Sequence, residues 1–250
     1  MFMGVVGSER GVGVYPDLAG ARVLITGLTA AAGVEIARGF AEHKARLVVQ
    51  ADGSSPELTA VAGLVSETAS ELKLYTERLV DGDAAVRFAQ GPAQGFGGLD
   101  AVINIVTVTR ADMHGRESLA EIEDLVSDKL LKATLMTRIA ANRMRLTLGS
   151  GLVLNVVRMP EPETAAEAAI AGVFRAALAA MTRGEAQEWA GEAIRINAIG
   201  PRAVLEPTAG ASLESEADIA ALALHLASKK SRNLSGHVFD ATGVARSGCR

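Results

Sequence analysis

The chain has 250 residues, a formal net charge of -4 at pH 7, 49% hydrophobic and 22% charged residues. That is too apolar for a disordered chain, and it lacks the surplus of Lys and Arg that nucleic acid or an anionic membrane surface requires. A single cysteine, Cys249, excludes an internal disulfide and a multi-thiolate metal site, which fits a reducing, cytoplasmic setting.

Residues 1–20 form a loosely specified lead in which Glu9 and Arg10 follow a short apolar stretch, the reverse of a secretory signal. No run of about 18 apolar residues stands out, so neither a targeting nor a membrane segment is expected. Beyond the lead, a brief apolar run at 21–26 reads as a strand and 33–43 as a helix. The alternation then repeats: strand 46–50 and helix 55–70, strand 72–77 and helix 83–94, strand 101–106 and helix 118–146. Strand 151–157 and helix 164–191 follow, then strand 194–198, helix 216–228 and a last strand at 237–240. Regular strand–helix alternation implies right-handed crossovers and one parallel sheet of about seven strands with helices on both faces. No linker or internal repeat divides the chain, so a single domain over 21–250 is expected.

The first strand runs into Thr26-Gly27-Leu28-Thr29-Ala30-Ala31-Ala32-Gly33 and then into a helix. A glycine-bearing turn between a strand and a helix N-terminus can cradle phosphates, because free amides and the helix dipole point at the anion; without a ligand it is a tight turn. Three later segments match at the right order and spacing: Phe96-Gly97-Gly98-Leu99-Asp100, Ile194-Arg195-Ile196-Asn197-Ala198-Ile199, and Ser235-Gly236-His237-Val238. From Asp17 to Gly243 the chain resembles the short-chain dehydrogenase/reductase family. The resemblance implies a Rossmann-like fold, an NAD(P) cofactor and hydride transfer, although a fold does not carry its activity with it.

In that family a Tyr-x-x-x-Lys pair, a Ser after the fifth strand and an Asn on the fourth helix carry the reaction. Residues four apart share one helix face, so an ammonium can lower the phenol pKa while the phenol passes a proton. Counting back from the sixth strand, the resemblance puts Ala171 at the Tyr position, Arg175 at the Lys position, Arg158 at the Ser position and Lys129 at the Asn position. Ala171 has no proton to give, and guanidinium groups cannot act as acids near neutrality. Of the remaining acids, Tyr75 reads as core, Tyr15 lies in the lead and His114 sits in a loop after the fourth strand.

The cofactor positions implied by the resemblance are Thr26, Gly27, Ala31, Gly33, Asp52 and Asn104. Ala31 adds a methyl where the family has Gly, and Ile105-Val106-Thr107 bring branched side chains where the family has small ones. Asp52 would favour NAD over NADP by repelling a 2′-phosphate. After Pro201-Arg202 the segment that closes over substrate is short, reaching the next helix near Glu216.

Lys129, Arg158, Arg175 and Arg202 map around the former reaction cleft and could hold an anionic small molecule, unless Asp112, Asp128, Glu161 or Glu163 neutralise them. The helices at 118–146 and 164–191 are apolar beyond what one sheet face buries, and in the family they pack against a second subunit, so a homodimer or homotetramer is expected. His43, His225 and His237 stand alone without metal-ligand spacing, and no metal is expected. The residues therefore favour a catalytically degenerate, oligomeric binding or regulatory protein. The alternatives are an NAD(P)-dependent oxidoreductase with an unorthodox acid such as His114, and an anion-binding protein.

Overall fold

Short runs of Val, Ile and Leu bounded by capped helices dictate the architecture, which a computed structural model describes for residues 14–116, 118–147, 149–201, 203 and 216–240. The strands are β1 (Arg22–Leu28), β2 (Arg46–Ala51), β3 (Glu71–Tyr75), β4 (Ala101–Thr107), β5 (Gly151–Arg158), β6 (Ile194–Gly200) and β7 (Val238–Asp240). They form one parallel sheet in the order β3-β2-β1-β4-β5-β6-β7. β4 and β5 are buried along almost their whole length, which is why they read as continuous apolar runs rather than alternating ones.

The helices are α1 (Val34–Glu42), α2 (Pro56–Thr68), α3 (Gly82–Gln90), α4 (Arg110–Met113), α5 (Leu119–Leu146), α6 (Ala165–Glu188) and α7 (Glu216–Ala227). On one face α1 and α7 enclose a core that includes Phe40, Ile36, Ile103 and Leu154. On the other, α3 and α5 pack Phe88, Met136 and Met144 onto Val102 and Val153. A third cluster, built on Phe174, Leu178 and Val157, joins α6 to the C-terminal ends of β4 and β5. Ser55, Asp81, Ser118 and Thr164 cap α2, α3, α5 and α6, each accepting a hydrogen bond from a first-turn amide.

Several expectations need correction. The helix expected at 83–94 ends at Gln90, followed by a separate 3-10 turn at Pro92–Gln94, and the one-turn α4 had no expected counterpart. Its four residues are too few for a helical period, but a capping box between Thr109 and Asp112 fixes it. The described end of the lead is also specified: Leu18 is buried, and the Asp17 carboxylate accepts the Lys229 amide at 2.7 Å. Tyr15 sits between His43 and His225, with ring centroids 5.7 and 6.0 Å away, so these two histidines do not stand alone. Finally, α6 is long and apolar enough to cross a membrane by length and composition, contrary to the sequence reading. Its length includes Ile170, Phe174 and Leu178, which are buried against the fold.

The strand order reverses between β1 and β4, which leaves a crevice at their C-terminal ends, the place where open α/β sheets bind ligands.

Candidate functional site

The glycine turn leaves β1 at Gly27 (φ +73°) and enters α1 at Gly33 (φ +88°). Both are in the left-handed region, and both are approached closely by β4. A Cβ on Gly27 would collide with the Ile105 carbonyl oxygen, and one on Gly33 with Ile105 Cδ1. Ile105 is 6% exposed, and its side chain packs against Gly33 from the β4 side. Unlike α2, α3, α5 and α6, α1 receives no cap from its own N-cap side chain. The missing acceptor comes from far along the chain: the Gly33 N–H donates to Glu216 Oε2 at 2.9 Å, and Glu216 Oε1 lies 3.0 Å from Arg158 Nε. That second contact is an ion pair without an aligned hydrogen bond.

A polar strip beneath the turn holds the expected cofactor positions. Gln50, 1% exposed, accepts the Gly27 N–H at 2.9 Å and donates through Nε2 to Asp52 Oδ1 at 2.9 Å. Thr26 donates to Asn104 Oδ1 at 3.0 Å, and Asn104 Nδ2 donates to Asn155 Oδ1 at 2.9 Å. Thr26, Gly27, Asp52 and Asn104 are thus brought together. Ala31 is exposed, and its N–H donates to Thr29 Oγ1 at 3.3 Å. Gln50, Glu216 and Asn155 were not singled out from the sequence, since lone polar residues at a strand end or helix start carry no motif.

Of the four positions that the resemblance gives to chemistry, Lys129 lines the cavity at the strand ends. Lys129 lies 2.9 Å from the Asp112 carboxylate. Burial would raise the Asp112 carboxyl, but hydrogen bonds from Lys129 and Thr109 outweigh it and hold the group below the ordinary carboxylate range. Arg158 pairs with Glu216, and Arg175 pairs with Asp240. Ala171 is buried on α6 at 1% exposure. Of the four carboxylates considered from the sequence, Asp112 meets one of these cations, Lys129. Glu163 instead pairs with Arg110 at 2.6 Å, and Arg110 also donates to Glu167 and to the Glu161 carbonyl, which ties α4 to the start of α6. The expected concentration of open positive charge is therefore replaced by three internal ion pairs. Arg202 and Cys249, together with most of the segment between Pro201 and Glu216, lie outside the described residues. His114 is exposed at the end of α4 and does not line the cavity at the strand ends. Tyr75 is half-buried, edge-on to Phe88 at 5.7 Å. Among the described residues, no three or more His, Cys, Asp or Glu side chains are grouped to hold a metal.

A cavity of about 390 Å³ opens at the ends of β1, β2 and β4 under α5, with Gln50, Asp52, Asn104, Asp128, Lys129 and Lys132 among its walls. A larger one, about 610 Å³, lies at the opposite, N-terminal edge of the sheet between Ala21, Ala101, Gly151 and Ile194. Only the smaller is at the topological switch point.

A doubly wound parallel sheet with a glycine turn and a crevice at the switch point defines a protein of the dinucleotide-binding fold class. The profile of the short chain dehydrogenases matches residues 21–217, and the chain belongs to that family. It is 28% identical over 261 residues to the mitochondrial borneol dehydrogenase of Lavandula x intermedia, covering 94% of this chain and 95% of that one. To gluconate 5-dehydrogenase of Gluconobacter oxydans (strain 621H) it is 25% identical over 198 residues, covering 75% and 73%. The fold also superposes on the NADH-dependent reductase A1-R′, solved with NAD, with TM-score 0.71 and 19% identity over 91% of this chain and 97% of that one.

The family usually binds NAD(P). At this turn the amide of Gly33, the N-cap of α1, is taken by the Glu216 carboxylate, so a pyrophosphate received there would have to displace it.

Proposed function

We propose that this chain is a short-chain dehydrogenase that has lost hydride transfer and acts as an oligomeric, non-catalytic binding or regulatory protein. One observation carries the reading: the positions the family resemblance gives to chemistry hold a buried methyl at Ala171 and three cations, each neutralised by a carboxylate of the same chain. A methyl has no proton to give and a guanidinium is a donor only, so the positions of the phenol and its partners lack the general acid whose loss typically costs about 10²–10⁴ in rate. The Arg110 clamp adds to this by joining the two loops that flank the reaction face.

The α6 surface supports the oligomer. Only 28% of its most apolar stretch is buried, and Ala169, Ala176 and Ala180 are exposed along it, so a second copy can pack closely there. A residual dinucleotide would be NAD rather than NADP, since Asp52 sits at the cavity wall where a 2′-phosphate would be repelled. An oxidoreductase with a relocated acid has the dehydrogenase relatives in its favour, with His114 as the candidate acid.

Thermal melting with NADH and NADPH, alongside NADH oxidation with aldehyde and ketone substrates, decides between them. A ligand at 100 times its Kd adds about 2.7 kcal/mol of stability. The proposal expects no such shift below millimolar cofactor and no turnover. Reproducible NADH oxidation that disappears in His114→Ala or Tyr75→Phe would overturn it.

A further inference from the structure

Arg195 on β6 lines the larger cavity, at the N-terminal edge of the sheet and away from the switch point. Its Nη1 donates to the Leu226 carbonyl at the end of α7, and to the Ser231 carbonyl at 3.3 Å and Oγ at 2.9 Å in the 3-10 turn that follows. All three acceptors are neutral, and all three use that one nitrogen. The other edge of the guanidinium, Nε and Nη2, has the spacing of a carboxylate and meets no partner among the described residues. Both nitrogens are accessible rather than sealed in the core. Elsewhere in the chain this edge is filled: Asp100 takes Nε and Nη2 of Arg22 at 2.9 and 2.7 Å, and Glu71 takes those of Arg46 at 3.2 and 2.9 Å. Asp100 accordingly raises the Arg22 pKa, whereas burial lowers that of Arg195 with no carboxylate to oppose it. Arg195 therefore presents an unused bidentate fork.

The remaining walls suit an anion that carries an apolar body. Lys229 and Arg232 bring two exposed cations to the same cavity, and neither side chain has an ion-pair partner among the described residues. The two carboxylates that also line it are engaged: Asp17 accepts the Lys229 amide, and Asp100 holds Arg22. Leu18, Ala21, Ala101, Ala186 and Ile194 supply small apolar surfaces, and the volume of about 610 Å³ is that of a small-molecule site. A bare oxyanion would leave those surfaces uncovered. We infer that this cavity binds a small organic monocarboxylate: Nε and Nη2 of Arg195 hold the carboxylate bidentately, Lys229 and Arg232 add to the attraction, and the hydrocarbon body lies against Ala21, Ala101 and Ile194. The site is separate from the dinucleotide crevice, so it goes beyond the non-catalytic reading and does not depend on it.

The test uses the full chain with sodium hexanoate, sodium acetate, 1-hexanol and inorganic phosphate as probes, binding being followed by calorimetry and by the rise in Tm. Hexanoate is expected to bind by about 10 mM, the scale set by its few heavy atoms. It should bind about tenfold or more tightly than acetate, which lacks the apolar body, and than 1-hexanol, which lacks the charge. Arg195→Lys keeps the charge and loses the fork, and is expected to weaken hexanoate binding about tenfold. The double variant Lys229→Gln/Arg232→Gln, on exposed side chains, should weaken it about threefold. Arg143→Gln, an exposed charge on α5, controls for net charge and should leave it unchanged. No hexanoate binding by that concentration overturns the inference, as does unchanged affinity in Arg195→Lys. If Arg195→Lys does not fold, unchanged affinity in the double variant overturns it instead. Phosphate or 1-hexanol binding as tightly as hexanoate would also overturn it, the first by showing a bare oxyanion seat and the second a purely apolar pocket. NADH turnover by the wild type would overturn the non-catalytic reading while leaving this site standing, so the two failures are distinguishable.

Discussion

Gly33 and Ile105 give the sharpest test of how the turn is packed. An Ala at Gly33 must adopt φ near +88°, which costs an L-residue about 1–2 kcal/mol, and its methyl would meet Ile105 Cδ1 well inside contact distance. Relieving such a clash in a packed core costs about 1–3 kcal/mol more. Gly33→Ala is therefore expected to destabilise by about 2–5 kcal/mol in total. Ile105→Val removes the clashing Cδ1 and little else, at about 0.5–1.5 kcal/mol by itself. The next Ile105 atom, Cγ1, would lie 3.6 Å from the new Cβ, an ordinary contact. The backbone part of the Gly33 penalty and a tight contact with Leu28 Cδ1 at 3.1 Å survive in the double variant while the Ile105 clash is removed, so the two losses should fall short of adding by about 1–3 kcal/mol. Urea unfolding of the four proteins at constant m-value measures this directly. Losses that add within about 0.5 kcal/mol would refute the close packing of Ile105 on Gly33.

Three further outcomes are expected. Glu185, 7% exposed, accepts from Arg138 Nε at 2.7 Å and from Trp189 Nε1 at 3.1 Å; Glu185→Ala should cost about 1.5–3 kcal/mol and shift the emission of the chain's one tryptophan, and unchanged fluorescence would contradict the contact. Asp112→Asn should cost about 1 kcal/mol or less at neutral pH, because the pair with Lys129 is partly exposed. The folded Asp112 pKa is depressed, so its contribution is complete above the unfolded value of about 3.9 and fades as pH falls through the lower folded value. A wild-type advantage that persists at pH 2 or grows on acidification, read from melting curves, would count against the pair. Ala176→Arg on the exposed α6 face should convert an oligomer into monomer by light scattering with little change in the fold, and a wild type that is already monomeric would refute that interface.

Local pattern and distant contact contributed differently. The alternation of apolar runs and Ala-rich helices was legible because burial on both faces of a parallel sheet imposes continuous hydrophobic strands, and β4 and β5 show it directly. The Thr26-Gly27 turn was legible because only glycine takes its left-handed backbone without cost. What the cations do could not be read that way. Arg158 and Arg175 find Glu216 and Asp240 on other elements, so nearby sequence offered the wrong carboxylates. Nor does an isoleucine within β4 announce that it packs against Gly33 of the turn. Periodicity along the chain fixes which face a residue takes, because it follows from backbone geometry repeated every few residues. Which charge neutralises which, and which side chain packs on a glycine, depends on how the crossovers bring separate elements together, and only the tertiary structure decided that.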